Sequence, residues 1–110
     1  MKLLKCIVRE DKVQETTDAL KDFDVSGVTV SHVRGRGRQK NPTAVHRGRE
    51  YEIPYLPQMM IEMVVADYLV DDVVRAVIET ARTGARGDGR VFVMPVEEAY
   101  TIRTRAGGPD

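Results

Sequence analysis

The sequence predicts an α+β fold, a ferredoxin-like βαββαβ sandwich carrying one long loop, on three observations. At 110 residues the chain has room for one domain and one hydrophobic core. Its hydrophobic periodicity runs strand, helix, strand, long loop, strand, helix, strand; in such a split βαβ arrangement both helices cover one face of an antiparallel sheet. The strand Met59 to Ala66 is apolar on both faces, so the other sheet face needs a cover of its own, most simply further copies of the chain in a closed ring.

Lys2 to Val8 is short and rich in Leu, Ile and Val, the mark of a buried strand. Asp11 is placed to cap a helix in which Val13, Thr17, Leu20 and Phe23 recur at three- and four-residue steps. Gly27 ends that pattern, and the alternation from Val28 to Val33 predicts a second strand. From Arg34 to Pro57 glycines, prolines and charges replace periodicity, giving about twenty residues without a clear element of their own; a loop of that length is a functional feature or a disordered one. Met60, Glu62, Val64 and Ala66 then alternate with Ile61, Met63 and Val65 along a strand. Val70, Val73, Val74, Val77, Ile78 and Ala81 define the clearest helix, with Asp67 near its start and Gly84 near its end. Val91 to Met94 forms a fourth strand, and Tyr100 to Arg103 a short fifth.

Composition narrows the function. Lys plus Arg equals Asp plus Glu at 17 each, so no global positive field supports non-specific nucleic-acid binding. An RRM-type surface needs aromatic residues on its central strands, and here they supply only Phe92. No Ser/His/Asp, Cys/His or paired-carboxylate set supports an enzyme. His46 has no second ligand at metal spacing, and the lone Cys6 reads as a core residue. With no cleavable leader and no run of about 18 apolar residues, the chain is expected to be soluble and cytoplasmic.

The segment that carries chemistry is Thr83-Gly84-Ala85-Arg86-Gly87-Asp88-Gly89-Arg90-Val91-Phe92-Val93, between a helix end and a strand start. Its glycines let backbone N–H groups converge on one concavity, and Arg86 and Arg90 add positive charge, which suits an anion or phosphate. It lacks the Gly-Lys-Ser/Thr ending of a Walker A loop. The same residues also fit a helix C-cap followed by a tight turn, and composition leaves both readings open.

The run Thr83 to Val96 resembles the C-terminal signature of the PII signal-transduction proteins: a Thr, three residues, then Gly-Asp-Gly, a basic residue, an aliphatic and Phe. Gly35-Arg36-Gly37-Arg38-Gln39-Lys40 is similar to the start of that family's T-loop, and Arg47-Gly48-Arg49-Glu50-Tyr51 to its tip. Pro95-Val96-Glu97-Glu98-Ala99 with Arg103-Thr104 resembles its C-terminal region, so the likeness covers nearly the whole chain. It divides residues 1–110 into a single domain with a T-loop at about 36–55, a glycine-rich B-loop at about 82–90 and a C-terminal segment at about 97–110.

The resemblance implies a homotrimer with a nucleotide site in each cleft between subunits. The phosphates of ATP or ADP rest on Gly87, Asp88 and Gly89, assisted by Arg38, Arg90 and Arg103, while Thr29, Gly35, Gly37, Glu62 and Val64 line the adenine and ribose region. Guanidinium groups suit phosphate oxygens, and three together are costly without an anion. The family's second ligand is 2-oxoglutarate, held with Mg2+ by the ATP phosphates and a glutamine that Gln39 matches. At position 58, Gln58 stands where typical members have a lysine, which predicts weakened or absent 2-oxoglutarate binding unless Lys40 or a loop arginine substitutes. Thr101 likewise replaces a usual arginine. Tyr51 occupies a position uridylylated or adenylylated in many members, with His46 and Arg49 departing from the usual surroundings.

The function implied is a non-enzymatic regulator that binds ATP or ADP and acts through the T-loop on an ammonium transporter, an enzyme of nitrogen assimilation or nitrogenase. The alternative is a sensor of adenine nucleotides and a metabolite other than 2-oxoglutarate, outside nitrogen control. Neither requires nucleic acid or membrane insertion.

Overall fold

A computed structural model describes residues 1–25, 27–36, 43–52 and 56–109. The elements are β1 (Lys2–Arg9), α1 (Val13–Ala19), β2 (Thr29–Gly35), β3 (Thr43–His46), β4 (Arg49–Glu52), β5 (Leu56–Val65), α2 (Val70–Ala81) and β6 (Gly89–Pro95). Four strands form one antiparallel sheet in the order β2-β5-β1-β6, and β3 pairs with β4 separately. Two helices on a sheet of that order are the predicted ferredoxin-like α+β sandwich.

Side-chain alternation explains where the core sits. Leu4, Cys6 and Val8 of β1 and Met59, Ile61, Met63 and Val65 of β5 point one way and are buried. Against them pack Leu20, Val73, Val77 and Ala81, with Val13, Phe23 and Val91 partly buried around them. Burial pushes the Cys6 thiol up to about 11, so it is an inert part of this core. The opposite face has no covering element among the described residues. Leu3, Ile7, Met60 and Val64 are half-buried there, and Phe92 is exposed.

Several boundaries depart from the sequence reading. The buried threonine of α1 is Thr16 rather than Thr17, its hydroxyl donating to the Lys12 carbonyl at 2.7 Å. Neither Asp11 nor Asp67 acts as a side-chain cap, because a 3-10 turn leads into each helix (Glu10–Lys12 and Asp67–Leu69). Asp67 instead pairs with the amino terminus of Met1 at 2.8 Å. Helix α2 ends where Arg82 turns extended, so Gly84 belongs to the following loop rather than to a cap.

The stretch read as lacking elements contains the β3–β4 hairpin. Arg47 and Gly48 have φ of 52° and 77°, the positive pair that a two-residue turn needs to match the twist of its strands. Pro57 lies within β5, opposite Arg34 of β2, beyond the last β1 pair Arg9–Gln58, where a missing N–H costs no bond to β1. The expected fifth strand reduces to a bridge between Tyr100 and Gly107, closed by the Thr101 amide donating to the Ala106 carbonyl at 2.8 Å. No helix among the described residues is long and apolar enough to cross a membrane.

Candidate functional site

The loop from α2 to β6 is built around one carboxylate. Asp88 Oδ2 accepts the backbone N–H of Thr83 at 2.9 Å and of Gly84 at 2.8 Å. Its Oδ1 accepts the Thr83 hydroxyl and Arg9 Nε, the latter at 2.9 Å. Thr83 Oγ1 in turn accepts the Ala85 N–H at 3.2 Å. Hydrogen bonds from the Thr83 hydroxyl and then Arg9, supported by the backbone N–H groups of Thr83 and Gly84, hold the Asp88 carboxyl well below the usual carboxylate range against the opposing effect of burial. Gly84 and Gly87 take φ of 90° and 92°, which a residue with a Cβ adopts only under strain.

With Asp88 turned inward, the loop presents unneutralised positive charge. Arg86 and Arg90 are exposed and have no carboxylate partner among the described residues. The Arg90 guanidinium lies 5.2 Å from the Phe92 ring centroid, two residues on along the same strand face. Such a loop can receive an anion without first breaking an ion pair at either arginine.

A pH test of this keystone follows. A carboxylate whose folded pKa is depressed contributes stability that is present above its unfolded pKa, about 3.9, and lost as pH falls toward the folded value. Asp88→Asn is therefore expected to be less stable than the parent at neutral pH, with the gap narrowing below about pH 4. Thermal melts of both proteins from pH 7 to pH 2.5 check it; a gap constant across that range would show that the Asp88 charge is not what holds the loop.

Gly89 opens β6 opposite Val8, with φ of 106°, and a Cβ there would lie 1.7 Å from the Ile7 carbonyl oxygen. Its own sheet neighbour therefore already requires glycine, a reason independent of the phosphate contact that the resemblance implies.

The other candidates lie in rows across the open sheet face. Thr29, Glu62, Lys5 and Phe92 make one row, Ser31, Met60, Ile7 and Arg90 the next, and Val33, Gln58 and Arg9 the third. Thr29, Glu62 and Val64 come together with Leu3, Gly27 and Pro109 around a groove of about 420 Å³. Gly35 and Gln58 meet at the other end, the Gln58 carboxamide occupying the space beside Gly35 so closely that a Cβ there would be 2.2 Å from Oε1. Arg103 is exposed in the C-terminal turn. One chain thus separates Thr29 from the strand of Gly89 by three strand spacings, roughly 14 Å, and Glu62 by two, roughly 10 Å.

Gly37, Arg38, Gln39 and Lys40 lie outside the described residues, and of Tyr51 the structure describes only the backbone, in β4 opposite Ala44. Among the described residues no cluster of three His, Cys, Asp or Glu side chains could hold a metal. The residue that the sequence did not single out is Arg9, 79 positions from Asp88. Its only local signal is a charge ending an apolar strand.

A family model described as nitrogen regulatory protein P-II matches residues 1–106. Among similar curated proteins, a nitrogen regulatory protein P-II of Haemophilus influenzae is 45% identical over 94% of this chain and 93% of its own. One of Azospirillum brasilense is 42% identical over 100% of this chain and 98% of its own. One of Rhodospirillum rubrum is 41% identical over the same shares.

Proposed function

Since the chain belongs to the nitrogen regulatory protein P-II family, we propose that it is a regulator of nitrogen metabolism rather than an enzyme, a homotrimer that binds ATP or ADP in the clefts between its copies. It acts on partner proteins, a transporter or a regulated enzyme, through the loop of residues 36–55. The observation that carries the nucleotide reading is the loop at 83–90, whose carboxylate is consumed internally while Arg86 and Arg90 beside it have no carboxylate partner among the described residues. The separation of the candidate residues on one chain supports placing the site between copies. The groove at Thr29, Glu62 and Val64 belongs to one copy and the phosphate loop to its neighbour, which also covers Leu3, Ile7, Met60 and Val64 on the open face.

ATP or ADP then changes the 36–55 loop only by binding its states unequally, so regulation is a shift in loop population. Mg2+ accompanying ATP would be held by the phosphates with Gln39; Asp88, already accepting from Thr83, Gly84 and Arg9, has no role as its ligand. The position of Gln58 supports the second reading, a metabolite other than 2-oxoglutarate, because a neutral amide rather than an ammonium lies over Gly35.

Calorimetric titration with ATP, ADP and AMP, each with and without Mg2+ and 2-oxoglutarate, tests the assignment, with sedimentation at micromolar concentration run in parallel. ATP and ADP are expected to bind to a trimer, and Gln58→Lys to raise the affinity for 2-oxoglutarate in the presence of Mg-ATP. A monomer that binds no nucleotide would overturn the proposal. If the lysine variant stays indifferent to 2-oxoglutarate, the second reading stands.

A further inference from the structure

Arg9 sits at the end of β1, directly opposite Gln58 of β5, and reaches out of the sheet to the loop between α2 and β6. Its Nε donates to Asp88 Oδ1 at 2.9 Å and its Nη2 to the Arg86 carbonyl at 2.7 Å. The two side chains of the ion pair are only 28% and 22% exposed, so the contact is partly shielded from solvent. The loop is otherwise fastened at its two ends, by Ala81 in the core and by Gly89 against Ile7 and Val8. Arg9 holds its middle.

We propose that Arg9 is a positioning residue for the anion-binding loop, fixing residues 83–88 against the sheet without touching the ligand. The division of labour follows from charge. Arg9 is neutralised by Asp88, whereas Arg86 and Arg90 have no carboxylate among the described residues and remain to meet an anion. The fork matters as much as the charge, since one guanidinium serves a carboxylate and a carbonyl in fixed geometry and an ammonium on a flexible stem does not. Without Arg9 the local turn survives, because Thr83 and Gly84 still bond Asp88; its registration on the sheet is lost.

This inference rests on the reading that the loop receives nucleotide phosphates, and the experiment separates the two. ATP titration of Arg9→Ala, Arg9→Lys, Asp88→Asn and the double variant Arg9→Ala/Asp88→Asn is combined with amide exchange of the ligand-free proteins. Arg9→Ala is expected to weaken ATP binding about tenfold, the scale of a lost charge-assisted bond, with Arg9→Lys nearly as weak and the trimer intact. The double variant should bind within about twofold of Asp88→Asn alone, as residues acting through one contact do. Loop amides 83–88 should exchange about tenfold faster in Arg9→Ala, while those of Leu4 and Ile61 keep their protection. Additive losses with unchanged loop exchange would mean that Arg9 contacts the ligand itself, and loss of assembly or core protection in both Arg9 variants would make it a general stability residue; either result overturns the proposal. If the parent protein binds no ATP, the nucleotide reading falls and the exchange data alone decide the role of Arg9.

Discussion

Gly89→Val is expected to be among the most damaging single changes in this chain, lowering stability by about 3 kcal/mol or more and the melting temperature by roughly 12 °C. Two costs combine. The residue holds φ of 106°, outside the range that side-chain-bearing residues favour, and any Cβ would stand 1.7 Å from the Ile7 carbonyl oxygen. That oxygen is backbone in the central strand β1 and cannot swing aside, so the β1–β6 ladder must open at Val8–Gly89. Gly84→Ala separates the contributions, because Gly84 has a φ of 90° but no atom within 4 Å of an added Cβ. It should cost only the backbone strain, about 1 kcal/mol. Thermal unfolding of both variants checks the contrast. A Gly89→Val protein that melts like its parent yet fails to bind ATP would return this glycine to the ligand.

What the sequence made legible was whatever repeats locally. Leu4, Cys6 and Val8 alternate within five residues, and Val73, Val77 and Ala81 recur every fourth, so strand and helix faces can be read without knowing their neighbours. Thr16 and Thr17 show the limit of that method. Both positions fit a three- or four-residue step from Val13 to Leu20, yet neighbours on a helix point about 100° apart, so only one can face the core; it is Thr16, whose hydroxyl is satisfied there by the Lys12 carbonyl. The β3–β4 hairpin was hidden since its strands are four residues long and its turn is Arg47-Gly48 rather than an Asn-Gly pair. At the site, glycines and arginines marked the loop, but composition alone could not choose between an anion cradle and a turn. The role of Asp88 required the fold, because it depends on Arg9 arriving from the far end of the chain, which no spacing rule reaches.

On the proposed function, Arg90→Ala and Arg103→Ala should each weaken ATP binding roughly ten- to a hundredfold while leaving the state of assembly unchanged, the effect of losing about 1.5 to 3 kcal/mol of charge-assisted contact. Both side chains are exposed, and neither has a carboxylate partner among the described residues, so removing them opens no cavity and strands no buried charge. Arg90 is also held over the Phe92 ring, which limits the conformations it must give up when it meets a phosphate. Arg90→Lys keeps the charge but loses the planar fork, and should fall between parent and alanine. Because the contacts are near the surface, ATP affinity should also decline with added salt, more steeply for the parent than for either alanine variant. Titration at two ionic strengths, with sedimentation to confirm assembly, measures all of this. Arginine variants that bind ATP as tightly as the parent, with the same salt dependence, would place the phosphates somewhere other than the loop at 83–90.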